Sequence, residues 1–359
     1  MRRRLAVTAT LFLAALYTAP IALAQSSVPT LPESKNAASD DLTWAQDLEA
    51  KLVAENFGDL DQIADQLRRD KTRVKGGDWK LVLFYNALDR PLLDDKNSVD
   101  HLEHLRHWMT THPESITARL ALARSLHRWA WVARGNGLAN TVTPEGWKLF
   151  NERSQESLAV LEGSEKIGTM DPMWFLEMMN AGVALEWDNA RQKSIFDRGV
   201  AFEPGFFYLY TNYANYLLPK WYGKPGDSSA FAKASADRVG GDEGDILYFR
   251  IATVLVKRGD GNFPVKELDW HRILHGYTML NQTYGTTNGH VNQLAFMAYK
   301  FGDKEVAQQQ FSLIANRWSL GVWRDKQFFD RIRDWASNRT AWPSDSGAAS
   351  PNAGTITPN

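Results

Sequence analysis

Asn288-Gly-His-Val-Asn-Gln-Leu294-Ala295-Phe-Met-Ala298-Tyr-Lys-Phe301-Gly302-Asp303-Lys-Glu-Val-Ala307-Gln-Gln-Gln-Phe311 is the stretch that decides the fold. Small residues recur among bulky apolar ones, as they must where two helices cross closely, and Gly302-Asp303 interrupts the pattern where the chain turns. The spacing predicts a pair of helices over roughly Asn288 to Trp318. Leu294, Ala295 and Ala298 lie on the first helix, and Ala307 with Phe311 four residues on lies on the second.

That register fits the tetratricopeptide (TPR) template, a helix pair repeated about every 34 residues. Outward from it the match weakens. Pro172 and Pro204 are 32 residues apart, each preceded by an acid and followed by an aromatic-rich stretch. In that unit Phe196 is in place but Gln192 occupies the small position. A third unit around His101 to Pro113 is weaker still. Helical stripes continue at Leu60, Ile63, Ala64 and Leu67, at Ile116, Leu120, Ala123 and Leu126, and at Val183, Ala184 and Trp187. Ile246 to Val256 is the best strand candidate, yet Leu247, Ile251 and Val254 fit a helix face equally well. The predicted class is all-α, a TPR-like superhelix of antiparallel helix pairs.

The chain has 359 residues, no cysteine, and 44% hydrophobic side chains, enough for a substantial core. Without cysteine there is no disulfide framework, thiol nucleophile or cysteine-held metal. Arg2, Arg3 and Arg4 open a basic, then apolar N-terminus ending at Ala22-Leu23-Ala24, the pattern of a Sec-type signal peptide cleaved after Ala24. The remainder carries 38 Lys and Arg against 42 Asp and Glu, a net charge of −4 that disfavours nucleic-acid binding through phosphate neutralisation. The expected organisation is a signal peptide (1–24), a flexible lead (25–40), a helical-repeat domain (41–342) and a disordered tail (343–359). A periplasmic or secreted location follows from the leader, and no segment after it is apolar enough to span a membrane.

Three blocks carry a resemblance: Phe57-Gly-Asp-Leu-Asp-Gln-Ile-Ala-Asp-Gln-Leu-Arg with Gly77-Asp-Trp-Lys-Leu, Ala133-Arg-Gly-Asn-Gly with Glu145-Gly-Trp, and Leu218-Pro-Lys-Trp-Tyr-Gly-Lys-Pro-Gly-Asp. Over about residues 42 to 335 the chain resembles a bacterial family of exported or membrane-associated, TPR-like helical proteins described as a domain of unknown function. The resemblance implies the fold and brings no catalytic residues with it.

Chemistry-bearing strings are few. His101-Leu-Glu-His104-Leu-Arg-His107 is the most metal-like, but Leu102 and Leu105 mark the expected buried face and leave the histidines toward solvent. Trp270-His271-Arg272-Ile-Leu-His275 has a zincin spacing with a cation where the general base belongs. Asp242, Glu243 and Asp245 suit a helix start better than a calcium loop. No catalytic residue, metal or cofactor is assigned. The aromatic run from Phe202 to Tyr222 reads mainly as core. Two glycine-bearing loops remain as ligand-binding candidates: Arg134, Asn136 and Trp147, and Trp221 with Tyr222. The expected function is a non-catalytic scaffold for a protein, peptide or envelope polymer. The alternative is an α/α-toroid carbohydrate-active enzyme, which needs a closed ring and two facing carboxylates.

Overall fold

The computed structural model describes residues 35–89, 95–135, 137, 139–259 and 263–337, with backbone alone for 35–41 and 95–97. Residues 1–33 lie outside the described residues, as does the 343–359 tail. The unit 34–359 holds every element below. Its helices are α1 (Lys35–Val53), α2 (Phe57–Asp70), α3 (Lys80–Leu88), α4 (Asp95–Thr111), α5 (Ile116–Arg134) and α6 (Pro144–Gly163). There follow α7 (Glu165–Gly168), α8 (Pro172–Ala184), α9 (Asn189–Phe202), α10 (Phe207–Tyr216) and α11 (Asp227–Val239). The last five are α12 (Gly241–Arg258), α13 (Trp270–Tyr284), α14 (Asn288–Phe301), α15 (Lys304–Ile314) and α16 (Lys326–Ser337). No strand is present among the described residues; one isolated bridge joins Arg73 and Trp79. α1 begins inside the span that composition assigns to a flexible lead, and Ile246 to Val256 is helical.

Local chemistry sets the helix starts. Ser115, Thr143, Asp171, Asp188, Asp269, Thr287 and Asp303 each accept a backbone N–H of the helix they open. The α14–α15 pair follows the small-residue pattern: Ala295, Ala298 and Ala307 are fully buried, Phe311 packs beside them, and Gly302 takes the left-handed turn at φ 77°. Gln192 keeps its large side chain at the α8–α9 crossing because Gly182 yields the space. It is buried and donates to the Met179 carbonyl at 2.9 Å.

Five pairs stack in order: α5–α6, α8–α9, α10–α11, α12–α13 and α14–α15. The first helix of each packs on the first helix of the next, through α5, α8, α10, α12 and α14, so these helices share one continuous surface. At the ends, α16 packs on α15, and α1 on α2, α3 and α4. Helix-pair packing of this kind is that of a helical-repeat superhelix. Of the thirteen described tryptophans six are buried and seven half-buried, consistent with rings filling the spaces between helices.

The turn between α2 and α3 crosses to distant helices. Gly76 donates its N–H to the Tyr284 carbonyl and accepts Arg250 Nη2, both at 2.8 Å. Tyr208 donates to Asp78 at 2.9 Å, and the Trp79 indole reaches Gly205. A Cβ on Gly77, whose φ is 77°, would lie 2.7 Å from Arg250 Nη2. The Gly77-Asp-Trp block is therefore a tie that fixes α10 and α12.

Closeness at the pair crossings has a measurable consequence. A Cβ on Gly276 would lie 2.0 Å from the Asp245 carbonyl oxygen of α12, whereas nothing lies within 4 Å of one on Gly58. Gly276→Ala is expected to lose about 1–3 kcal/mol despite better helix propensity, while Gly58→Ala gains a few tenths to about 1 kcal/mol. Urea midpoints of the two variants check this; equal shifts would contradict it.

Candidate functional site

The shared surface of α5, α8, α10 and α12 carries two adjoining clefts of about 430 and 590 Å³, both lined by His127, Trp131 and Asn180. Each helix contributes a short polar stripe at helical spacing. α5 presents Arg124, His127, Arg128 and Trp131; α8 presents Glu177, Asn180 and Val183. Tyr208, Thr211, Asn212 and Asn215 come from α10, Val254 and Arg258 from α12, and Trp221 from the turn after α10. Each falls in the usual size range of ligand clefts.

Amides run down the middle. Asn212 Nδ2 donates to Asn180 Oδ1 at 2.7 Å, and Asn180 Nδ2 donates to Glu177 Oε2 at 3.1 Å. The Oδ1 atoms of Asn212 and Asn215 are shielded from solvent and accept nothing. Trp131 Nε1 donates to His127 Nε2 at 3.0 Å. An indole N–H can only donate, so Nε2 supplies the lone pair and the neutral imidazole carries its proton on Nδ1. That Nδ1–H also has no partner. Burial holds the His127 pKa down at about 4, so the ring is neutral at pH 7. Unpaired buried polar atoms are uncommon in folded chains, and here three belong to residues that line one groove, the atoms themselves shielded from solvent.

Behind the groove lies a buried ion cluster. Arg124 pairs with Asp89 through Nε, with Glu177 through Nη1 at 2.5 Å, and with Asn86 through Nη2 at 2.5 Å. Asp89 is wholly enclosed, and Arg128 approaches it at 3.5 Å. Burial opposes the Arg124 charge, but the two carboxylates more than reverse this and hold the guanidinium protonated. Both acids are committed to arginine, which leaves the groove without a facing carboxylate pair.

The loop candidates are placed unequally. Trp221 lines the groove. Arg134 and Trp147 adjoin its edge: the guanidinium carbon lies 5.3 Å from the Trp131 ring centre and 5.5 Å from that of Trp147. Arg134 donates to the Gly135 and Gly137 carbonyls at 3.1 Å, closing the C-terminus of α5. It pairs with no acid among the described residues and backs the Trp131 wall. Tyr222 stacks on Tyr216 at 4.7 Å and donates to the Val183 carbonyl at 3.3 Å, outside the groove lining. Asn136 lies outside the described residues. The groove's His127, Asn180, Asn212, Asn215 and Arg258 were not singled out by sequence reasoning.

The histidine strings behave as structure. His101 is buried rather than solvated, because it shares the inward arc of α4 with Leu102, Leu105 and Trp108. His104 and His107 both approach Glu55, at 3.7 and 3.5 Å. His275 and Arg272 hold Asp245 at 2.8 and 2.6 Å. Among the described residues no three His, Asp or Glu converge as a metal-binding group, and no helix is long and apolar enough to cross a membrane.

Residues 45–165 match the family model described as a domain of unknown function, DUF4034. That span covers α1 from Ala45 to α6 and includes the Phe57, Gly77 and Ala133 blocks; the Leu218 block lies beyond it. No curated protein and no solved structure matches the chain. The α5 wall of the groove falls inside the matched span, and the α8, α10 and α12 walls fall outside it.

Proposed function

We propose that this chain is a non-catalytic peptide-binding protein of the helical-repeat kind, exported by its N-terminal leader, and that the groove over α5, α8, α10 and α12 is its binding site. The observation that carries the reading is the groove itself, a cleft lined by amides, aromatic rings and apolar side chains from four stacked helices. Asn180, Asn212 and Asn215 line it with amide side chains, the groups that pair with main-chain N–H and C=O. An extended main chain alternates these two groups at short intervals, while Trp131, Trp221, Val183 and Val254 offer apolar surface to its side chains. Commitment of Glu177 and Asp89 to Arg124 speaks against a hydrolase built on two free carboxylates.

The test is an array of random 12-residue peptides probed with the labelled chain. Wild type is expected to select a subset. The Asn212→Ala/Asn215→Ala double variant, unchanged by circular dichroism, should bind that subset at least tenfold more weakly, as two lost hydrogen bonds of about 1 kcal/mol each imply. Absence of selection, or selection indifferent to both substitutions, overturns the reading.

A further inference from the structure

One wall of the groove carries a cation that meets no acid among the described residues. Arg258, on the last turn of α12, lines the same cleft as His127, Asn212, Asn215 and Trp221. It makes no hydrogen bond or ion pair among the described residues. The residue is exposed, and partial burial lowers its guanidinium pKa. Lys257 is next to it, its own pKa lowered by burial and by the Arg258 charge. The acids that line or back the groove are already used, since Asp89 and Glu177 bind Arg124 and Asp89 also faces Arg128.

We infer that the groove takes peptides bearing a carboxylate, which Arg258 receives. The inference rests on the peptide reading above and names its ligand class. Guanidinium and carboxylate match as two parallel N–H···O bonds, the strongest pairing open to a single arginine. A phosphate dianion is better met by a cluster of cations. One guanidinium without an acid among the described residues suits a single negative charge. The amides of Asn180, Asn212 and Asn215 line the path of the rest of the ligand.

The experiment uses synthetic 12-residue peptides of Gly, Ser, Ala, Leu and Val with three positions set to Asp/Glu, to Asn/Gln, or to Lys. Each is immobilised through its N-terminus with a free or an amidated C-terminus and probed with the labelled chain. Wild type is expected to bind the acidic set at least tenfold more tightly than the Lys set, with the preference shrinking as NaCl rises from 50 to 300 mM. Arg258→Met should abolish the preference while Asn/Gln peptides bind as before, and Arg258→Lys should retain part of it. A preference for free over amidated C-termini assigns the carboxylate to the chain end; a preference carried by Asp/Glu assigns it to side chains. Equal binding of all sets, or an acid preference that survives in Arg258→Met, overturns the inference and leaves the groove intact. Failure of every set to bind overturns the peptide reading itself.

Discussion

Replacing Arg124 by leucine is expected to cost about 3–5 kcal/mol, because it leaves two enclosed carboxylates without their counter-ion. Asp89 and Glu177 are 0% and 2% exposed, and Arg124 is the guanidinium that binds both. Ser125 and Arg128 contact Asp89 but do not reach Glu177, so neither can take over. Removing all three charges tests the cause. Arg124→Leu with Asp89→Asn and Glu177→Gln should recover most of the loss, since what destabilises is an unpaired buried charge and not the absence of a pair. Urea unfolding of the single and triple variants decides this. A single variant within about 1 kcal/mol of wild type, or a triple variant no better than the single, would sink the argument. Because Glu177 anchors Asn180, the single variant should also loosen the amide run and weaken groove binding.

The difference between what was legible and what was not follows from range. Ala295, Ala298, Ala307 and Phe311 announce a helix pair because helix periodicity is local and a crossing of two neighbours needs small residues within one short segment. The groove is assembled from α5 to α12, and Asn180 and Asn212 meet across 32 residues of chain. Its signal was nevertheless present. Glu177 and Asn180 interrupt an otherwise apolar α8 at i, i+3 spacing, and Asn212 and Asn215 do the same in the aromatic α10. Such polar exceptions on adjacent first helices mark one face. The part Arg134 plays at the end of α5 was not legible because sequence does not display the carbonyls at a helix end that need donors. Gly77-Asp-Trp looked like a signature of unknown purpose because its partners, Arg250 and Tyr208, lie more than 100 residues away.

Acidification is expected to remove the most stability of all, through three histidines that the fold holds neutral. Burial lowers His101, His127 and His290 from 6.5 to about 4. His104 adds repulsion at His101. At His127, Arg124 and Arg128 oppose protonation while Glu177 favours it, and at His290 Arg250 opposes it while Asp78 favours it. Each folded pKa lies below the unfolded one, so between about pH 6.5 and pH 4 the unfolded chain binds more protons. Stability is fully present above that window and is lost as pH falls through it. At pH 5 the loss is about 2 kcal/mol per histidine, about 6 kcal/mol for the three, against the roughly 5–15 kcal/mol that holds a domain folded. Carboxylates add a loss of the same sign at the acid end, so wild-type melts alone do not identify the source. His290→Asn and His101→Leu do: each should flatten the dependence of unfolding free energy on pH by about 1.2 kcal/mol per pH unit between pH 6 and 5, whatever it does to stability at pH 7.5. Urea titrations at half-unit steps read this slope directly. If both variants keep the wild-type slope, these imidazoles are not the groups that couple folding to pH.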